Sequence, residues 1–407
     1  KWLMWSTLGL AFAALVLLMN TTKTGLVPDE DQGTIMVNVT TAPGTSLAET
    51  HQVMEEVSAR IKAIPQIRDF MQVAGYGMIA GQGSSYGMCI IKLKDWEERP
   101  EKTDAVNAVI GQIYGRTADI KNAQIFAVAP PMISGYGTST GFSMHLQDKT
   151  GGDLTEFYNI YLQFIGALNQ RPEIARAYST FNINFPQYMV DIDAAKAKRA
   201  GISPTSILST LAGYYGGQYV SNINRFSKMY YVTMQADPKY RLDTESLNNV
   251  YVRSSSGEMA PLGQFVNLTR VYSSEVLNRF NMYSSIAVNG TAADGYSSGD
   301  AIRAIQETAA QVLPKGYGYE FDGITREEAQ TGSNTVIIFG ICILLIYLIL
   351  SALYESFLIP FAVILSVPCG LMGSFLLAKM MGLENNIYLQ TGIIMLIGLL
   401  SKTAILI

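Results

Sequence analysis

The chain has 407 residues, of which 49% are hydrophobic and only 15% are charged, and its formal net charge is −4. Soluble domains contain about 25% charged residues, so this composition argues against an ordinary soluble enzyme and favours a membrane protein. No basic run accompanies the acidic balance. A nucleic-acid partner is therefore not expected, because binding phosphates requires clustered Lys and Arg. The three cysteines and two histidines are well separated, so neither a disulfide framework nor a zinc or copper site is predicted.

The first segment, residues 2–22, contains no charged side chain and is long enough to cross a bilayer. A signal peptide is the competing interpretation, because Lys1 resembles the basic start of such a peptide. The apolar run is long for a signal peptide, however, and no clear cleavage site of small residues precedes Lys23. We therefore predict a transmembrane helix over residues 1–22.

Residues 23–328 carry nearly all the charge of the chain and begin with a pattern typical of an α/β unit. Ser46 and Glu49 have the spacing of a capping box at the start of a helix. The predicted elements are a strand at Thr34–Thr41, a helix from Ser46, strands at Phe70–Val73 and Met88–Leu93, a helix capped by Thr103, and a strand at Ile125–Val128. This β-α-β-β-α-β order predicts a ferredoxin-like unit.

The same pattern recurs less clearly further along the chain, with an insertion in its middle. The insertion, Gln187–Tyr272, is rich in Asn, Ser and Tyr and predicts a mixed α/β domain with a helix at Pro204–Leu211. The elements around it are a strand at Phe142–Leu146, a helix at Leu154–Leu168, strands at Ala175–Tyr178 and Ser284–Val288, a helix at Gly299–Leu313 and a strand at Tyr317–Phe321. We therefore predict two α/β sandwich units in tandem, the second one interrupted.

The end of the chain is again apolar. Uncharged runs cover residues 329–354, 356–378 and 385–401, and they predict transmembrane helices over 333–354, 357–381 and 388–407. The last of these has barely the length to span a bilayer, so we expect the chain to be a piece of a longer polypeptide. Four crossings would place residues 23–328 on one face of the membrane.

Several collinear motifs resemble one family. They are GLVPDEDQG (Gly25–Gly33), LKDWEERP (Leu93–Pro100), VDIDAAKAKRAGIS (Val190–Ser203), YYGGQYVSNI (Tyr214–Ile223), ALYESFLIPFAVILSVPCG (Ala352–Gly370) and GLLSKTAILI (Gly398–Ile407). The chain resembles the C-terminal half, membrane helices 7–10 with the periplasmic loop, of a resistance-nodulation-division inner-membrane multidrug efflux pump of the hydrophobe/amphiphile efflux-1 type. The resemblance implies an α+β membrane protein with porter subdomains at 29–135 and at 136–186 with 273–328. It also implies a docking subdomain at 187–272.

The resemblance also implies a function. Such pumps are proton-driven secondary transporters that export hydrophobic and amphiphilic drugs, so neither enzymatic catalysis nor a cofactor besides the proton-motive force is expected. They are homotrimers in the bacterial inner membrane, in contact with membrane lipid, and join a periplasmic adaptor and an outer-membrane channel. The large soluble region would then lie in the periplasm. The residues agree with a non-enzymatic role, because no nucleophile–His–acid set or Walker-type loop is present.

Among the residues of the apolar segments, Lys402 most strongly indicates a function. It lies 14 residues beyond Tyr388, which is roughly 21 Å along a helix and past the middle of a bilayer core. A charge at that depth usually marks an ion path, although a lysine that snorkels to the interface is the simpler alternative. In the family that the chain resembles, this lysine is a proton-relay residue that pairs with two aspartates, and those aspartates lie outside this chain.

The resemblance also assigns a drug pocket to residues 70–90, a segment rich in glycine and large apolar side chains. Ordinary core packing is the alternative role for any single one of these residues. The predicted wall residues are Met71, Val73, Tyr76, Met78 and Ile90, with Phe126 and Val128 in a shallower pocket. The predicted switch loop runs from Gly81 to Gly87 and includes Gly83, and Gly135 stands where some relatives have an acidic pocket residue.

Two other functions remain open. A related pump for a metal ion or a lipid would keep the same architecture, and Met71, Met78 and Met88 leave a Cu(I) pathway conceivable. A membrane-anchored periplasmic adaptor or sensor without transport would have no reason to keep an ionisable residue such as Lys402 deep in a helix. The acidic triplet Asp29–Asp31 could bind calcium but lacks an EF-hand spacing, so a solvated junction is the prediction there.

Overall fold

The computed structural model describes residues 2–28, 30–78, 81–137, 140–331 and 334–406. Lys1, Asp29, Ser333 and Ile407, at which predicted segments begin or end, lie outside these ranges. The described chain is a mixed α/β structure whose sheets are antiparallel. It divides into two compact units, one formed by Lys1–Ile183 with Ser274–Ile407 and the other by Asn184–Ser273.

The first unit opens with an apolar helix and a four-stranded sheet. The elements are α1 (Trp2–Thr21), β1 (Thr34–Thr41), α2 (Leu47–Lys62), β2 (Ile67–Gly77), β3 (Gly81–Leu93), α3 (Val106–Thr117) and β4 (Ala123–Val128). The strands pair in the order β2-β3-β1-β4. Ser46 caps α2 by accepting a hydrogen bond from the Glu49 amide, as its spacing predicts. The core lies between the sheet and the helices, where Ile35, Val37 and Ile91 are fully buried.

Two predictions about this sheet are wrong in detail. The segment predicted as a switch loop, Gly81–Gly87, is the first half of β3, because its backbone pairs with β2 and, at its end, with β1. Those ladder hydrogen bonds compensate for the weak strand preference of glycine. Thr103 does not cap α3 but lies in the short 3₁₀ helix Lys102–Asp104, and α3 begins later, at Val106.

A second sheet begins with β5 (Phe142–Asp148), α4 (Leu154–Leu168) and β6 (Ile174–Tyr178). Asp153 caps α4 through its side chain. The inward face of α4, including Phe157, Phe164 and Leu168, is buried. These positions repeat at helical spacing, which is why the sequence pattern predicts the helix.

The unit Asn184–Ser273 is built from short elements. They are β7 (Phe185–Ile192), α5 (Ala194–Arg199), α6 (Pro204–Leu211), β8 (Gln218–Arg225), β9 (Lys228–Met234), β10 (Tyr251–Arg253), β11 (Met259–Pro261) and β12 (Val266–Ser273). The strands form three antiparallel pairs, β7 with β12, β8 with β9 and β10 with β11. A small core surrounds Ile207, Leu247 and Leu262, and helix α6 has the bounds that the sequence predicts.

The chain then completes the second sheet. The elements are β13 (Asn278–Phe280), β14 (Tyr283–Ala292), α7 (Ser298–Val312), β15 (Tyr317–Phe321) and α8 (Gly323–Thr331). The strand order is β13-β14-β5-β15, and β6 also pairs with β14. Met144, Leu146 and Ile286 point toward α4 and α7 and are buried with them in one core. Helix α7 begins with a capping box between Ser297 and Asp300.

The chain ends in apolar helices α9 (Asn334–Tyr354), α10 (Ile359–Ile364), α11 (Val367–Met380) and α12 (Ile387–Leu406). Leu15 of α1 packs with Val367, Phe375, Ile393 and Ile397 of α11 and α12. The segment 357–381, predicted as a single transmembrane helix, contains the two helices α10 and α11. Pro368 in the first turn of α11 has no N–H to donate to the preceding turn, which interrupts the helical ladder.

Within the described ranges, no helix combines the length and the apolarity that crossing a membrane requires. The four predicted transmembrane segments coincide with helical segments, and their crossing of a membrane stays a prediction.

Candidate functional site

The first sheet has one face without helices, which we call the open face. Its residues alternate with those of the core, and strand register brings them into two neighbouring rows across the four strands. One row contains Met71, Ile90, Met36 and Val128, and the other contains Val73, Met88, Asn38 and Phe126. Directly opposed side chains in such rows lie about 5 Å apart. Five predicted pocket residues therefore share one apolar surface.

The predicted residues differ in how far they are exposed. Met71 is 52% exposed and Tyr76 is 41% exposed, whereas Val128 is buried. Tyr76 and Met78 lie at the end of the β2–β3 hairpin, beyond the two rows. The structure thus brings together Met71 and Val73 with the residues of β3 and β4. Tyr76 and Met78 lie at the hairpin end, which returns over the open face because the Met78 amide bonds to Asn38.

Asn38 lies in the middle of the open face and is not among the predicted site residues. It is only 6% exposed, and its Oδ1 accepts a hydrogen bond of 2.9 Å from the Met78 amide. Its Nδ2 has no hydrogen-bond partner in the described chain. A buried donor without a partner costs about 1–3 kcal/mol. The alternation of strand residues would have placed Asn38 on this face, because it is two residues from Met36.

The predicted switch-loop glycines lie in the β2–β3 hairpin. Gly81 has a φ of +81° and no neighbouring atoms where a side chain would project. A side chain at Gly83 would begin 2.7 Å from the Tyr86 ring, and one at Gly87 would collide with Met54. A side chain at Gly83 or Gly87 would therefore require Tyr86 or Met54 to shift, while the left-handed backbone conformation favours glycine at Gly81. Whether this hairpin acts as a switch stays a prediction.

Parts of the second sheet border the open face. The rings of Phe126 and Tyr178 lie 4.0 Å apart between centroids, and the Arg176 guanidinium lies 5.7 Å from the Phe126 centroid. On the other border, the Tyr86 hydroxyl donates a hydrogen bond of 2.9 Å to Glu275 Oε2. Burial first, and then this hydrogen bond, raise the pKa of Tyr86 to about 12. Aromatic and charged side chains thus border the open face on two sides.

A different and more polar cavity of about 400 Å³ lies near the Leu93 end of β3, with Lys92, Trp96 and Arg99 among its lining residues. Beside it, Asp31 forms an ion pair with Arg99 and accepts a hydrogen bond from the Val106 amide at the start of α3. The prediction of a solvated junction for the triplet is therefore wrong for Asp31. Its carboxylate instead caps α3, which lies far from it in sequence. Asp29 of that triplet lies outside the described residues.

Burial alone would raise the pKa of Asp31, but hydrogen bonds from Arg99, Val106 and Gly33 outweigh burial and lower it. The Arg99 side chain is 2% exposed. The Asp31–Arg99 ion pair therefore holds the segment after α1 against the start of α3. Within the described residues, no three His, Cys, Asp or Glu side chains form a group that could hold a metal ion.

Lys402 lies on α12, and its side chain is exposed. It makes no ion pair with any residue that the structure describes. Lys379, the other lysine of the C-terminal helices, donates a hydrogen bond of 2.7 Å to Thr21 Oγ1. The two lysines therefore differ, since Lys379 has a hydrogen-bond partner and Lys402 has no ion-pair partner among the described residues.

The comparisons with known proteins agree on one family. The model of the AcrB/AcrD/AcrF family matches residues 1–407. The toluene efflux pump membrane transporter TtgB of Pseudomonas putida is 32% identical over 404 residues, which is 98% of this chain and 38% of TtgB. The multidrug resistance protein MdtF of Escherichia coli is 31% identical over 398 residues, 97% of this chain and 38% of MdtF. The solvent-resistant pump membrane transporter SrpB of Pseudomonas putida is 33% identical over 383 residues, 94% of this chain and 36% of SrpB.

The chain thus spans well under half of the length of these curated relatives. By name, TtgB is an efflux pump transporter, SrpB a pump transporter and MdtF a multidrug resistance protein, and each match extends over nearly the whole of this chain. The chain therefore belongs to the AcrB/AcrD/AcrF family of resistance-nodulation-division efflux pumps.

Proposed function

We propose that the chain is part of a proton-driven transporter that exports hydrophobic and amphiphilic compounds, and that the open face is the surface on which they bind. The observation that carries this proposal is the apolar second side of the first sheet, where Met36, Met71 and Ile90 lie side by side without a covering helix. A sheet needs only one apolar face to fold. The exposed part of the second face, around Met71, Met36 and Ile90, is therefore available for a ligand, whereas Met88 and Val128 are buried.

The chemistry of the open face suits varied apolar ligands. Methionine side chains are flexible and adapt to different shapes, and Met71 and Met88 lie in neighbouring rows. Phe126 and Tyr178 offer aromatic surfaces at the border. Burying about 200 Å² of a ligand against such a surface would contribute about 5 kcal/mol before the entropic costs of binding. Affinity of this modest size permits release, which an exporter requires.

The energy source in this proposal is the proton gradient. The proposal places α1, α9, the α10–α11 pair and α12 across the bacterial inner membrane, in contact with lipid, and the α/β region in the periplasm. Lys402 would then be a charge inside the membrane, where it needs a counter-charge. Carboxylates in the rest of the pump would supply that charge, and their protonation would remove it and favour a rearrangement of the helices.

The remaining features of the proposal concern assembly. We expect a homotrimer that joins a periplasmic adaptor and an outer-membrane channel. The strand order β2-β3-β1-β4 with two helices on one side supports a ferredoxin-like porter subdomain at 29–135. We propose a second one at 136–186 with 273–328, around the sheet β13-β14-β5-β15. The unit Asn184–Ser273 would contain the docking subdomain, 187–272. Export of a metal ion or lipid by the same route is the competing cargo assignment.

The open face can be tested with two matched substitutions in the complete pump. Met71 is 52% exposed on the open face, and Leu47 is 50% exposed at the start of α2, on the helix-covered side of the same subdomain. Substitutions at half-exposed positions cost little stability. We expect Met71→Glu to lower resistance to apolar drugs about 10-fold, because a charge on the wall opposes apolar binding, and Leu47→Glu to leave resistance unchanged.

The measurement is the minimum inhibitory concentration in a host that lacks its own pumps, with protein levels compared by immunoblot. If both variants retain full resistance, or both lose it at equal protein levels, the open face is not the binding surface. If the wild-type pump confers resistance to a metal ion and to no organic compound, the competing cargo assignment replaces the drug assignment.

The energy coupling has its own test. We expect Lys402→Met to abolish resistance, because a neutral side chain cannot respond to protonation of its partners. Lys379→Met should retain most of the resistance, since Lys379 only makes an exposed hydrogen bond to Thr21. Both variants remove one positive charge from an apolar helix. Resistance that persists in Lys402→Met, with normal protein levels, contradicts the relay role of Lys402.

A further inference from the structure

One carboxylate at the rim of the open face has no structural role that accounts for its charge. Glu275 lies in the segment just before β13 and is half-buried. Its Oε2 accepts the hydrogen bond from Tyr86 on β3. Its Oε1 lies 3.1 Å from the point at which a side chain on Gly83 would begin. Glu275 therefore packs against the β2–β3 hairpin at the edge of the open face.

Among the described residues, no Lys, Arg or His forms an ion pair with Glu275. Its partner Tyr86 is a neutral phenol at neutral pH, since its pKa is raised to about 12. Arg176, the cation at the opposite border, lies against the rings of Phe126 and Tyr178 instead. A carboxylate that is partly removed from water without an opposite charge is unfavourable. A cation supplied from outside the chain would relieve that cost.

Register connects this carboxylate to the apolar wall. Tyr86 is paired with Thr40, and the next pair toward the wall on the same face is Met88 with Asn38. The row of Met88, Asn38 and Phe126 thus lies directly beside the position from which Tyr86 reaches Glu275. An apolar surface with one carboxylate at its edge matches a molecule that has an apolar body and one positive end.

We propose that Glu275 is a specificity-determining residue that gives the open face a preference for cationic amphiphiles, with the ammonium or iminium group at Glu275 and the apolar body on the wall. This assignment rests on the proposed function of the open face. The small side chains at the hairpin contribute to it, because a residue larger than glycine at position 83 would occupy the space beside Oε1.

The test uses the purified complete pump and two fluorescent probes of similar size, rhodamine 6G as a lipophilic cation and Nile red as a neutral compound. Glu275→Gln keeps a hydrogen-bond acceptor for Tyr86 and removes the charge. We expect it to weaken rhodamine 6G binding about 10-fold, a typical loss for one partly screened charge pair, and to change Nile red binding less than about twofold. Fluorescence polarisation titrations give both dissociation constants.

Two further variants separate recognition from structure. Glu320→Gln removes a carboxylate from the second sheet, where Glu320 opposes His145, and so controls for the change in net charge; both probes should bind it as they bind the wild type. Tyr86→Phe keeps the Glu275 charge and loses only the hydrogen bond, so the preference for rhodamine 6G over Nile red should remain.

If Glu275→Gln weakens both probes equally, or if Tyr86→Phe loses the cation preference as Glu275→Gln does, Glu275 is a structural latch and the proposal is wrong. Unchanged rhodamine 6G binding in Glu275→Gln also overturns it. The proposed function fails separately. In that case the wild-type pump binds both probes with the expected dependence on Glu275 but does not export either probe from cells.

Discussion

Each of the two main sheets of the α/β region has one apolar face covered by helices, but their other faces differ in polarity. Each buries an apolar face under two helices, with Ile91 in the first sheet and Leu146 in the second fully buried. The residues next to these in sequence point the other way. In the first sheet that neighbour is Ile90, whereas in the second it is His145, which is opposed by Ala287 and Glu320.

This difference shows which of the two apolar faces folding requires. The second sheet forms its core with a largely polar second face, on which His145 stacks on Phe280 at 4.1 Å. An apolar second face is therefore not needed for this architecture. The first sheet nevertheless exposes Met71 beside the half-buried Met36 and Ile90, and contiguous exposed apolar surface is typical of binding sites. The comparison supports a ligand-binding role for the open face and none for its counterpart.

The most demanding test of this comparison uses two adjacent isoleucines of β3. Ile91→Ala removes a fully buried side chain and should destabilise the protein by about 2–5 kcal/mol, which lowers its abundance in the membrane. Ile90→Ala removes a half-buried side chain on the open face and should cost about 1 kcal/mol while reducing drug export per molecule. Thermal unfolding in detergent and resistance normalised to protein level measure the two effects.

The second sheet provides the control. Leu146→Ala should resemble Ile91→Ala because Leu146 is equally buried, whereas His145→Ala should leave export per molecule unchanged. A loss of export in His145→Ala as large as in Ile90→Ala would show that both second faces contribute to transport. The contrast between the sheets would then have to be abandoned.

The alternation of apolar residues made much of this fold predictable from sequence. Strand Thr34–Thr41 and helix Leu154–Leu168 have the predicted bounds, because periods of two and of about 3.6 directly encode one buried face. The resemblance to the family, and not the alternation, placed Ile90 and Phe126 among the candidate residues. The bounds of β2 and β3 were too short because glycine weakens the strand pattern, although the ladder between these strands holds them.

The features that escaped prediction depend on contacts between residues distant in sequence. Glu275 meets Tyr86 across 189 positions, and no local pattern indicates such a pair. Asn38 stands out only once its buried amide is seen to lack a partner in the described chain. Pro368 indicates that the segment 357–381 divides into two helices. Prolines also occur within continuous membrane helices, however, so the sequence alone does not decide between one helix and two.

A smaller effect extends the comparison to the helix ends. In the second sheet, α4 and α7 are capped by neighbouring residues, Asp153 and Ser297. In the first sheet, Ala105 precedes α3 and offers no side-chain cap. The carboxylate of Asp31 takes that place and accepts a hydrogen bond of 3.0 Å from the Val106 amide. The start of α3 thus depends on one titratable group that is distant in sequence, whereas α2, α4 and α7 are capped by neighbouring residues.

The lowered pKa of Asp31 determines whether acid stabilises or destabilises this part of the fold. Its folded-state pKa lies below the unfolded value of about 3.9, so its contribution to stability is complete above about pH 4 and is lost as the pH falls through the folded value. We expect acid to remove about 1 kcal/mol, comparable to one charge-assisted hydrogen bond, from the wild type. Asp31→Asn should be less stable at pH 7, because Arg99 stays buried without a counter-charge, and should lose less stability on acidification. Thermal unfolding at pH 7, 4 and 3 measures both slopes, and equal slopes would show that Asp31 is not the group through which acid loosens α3.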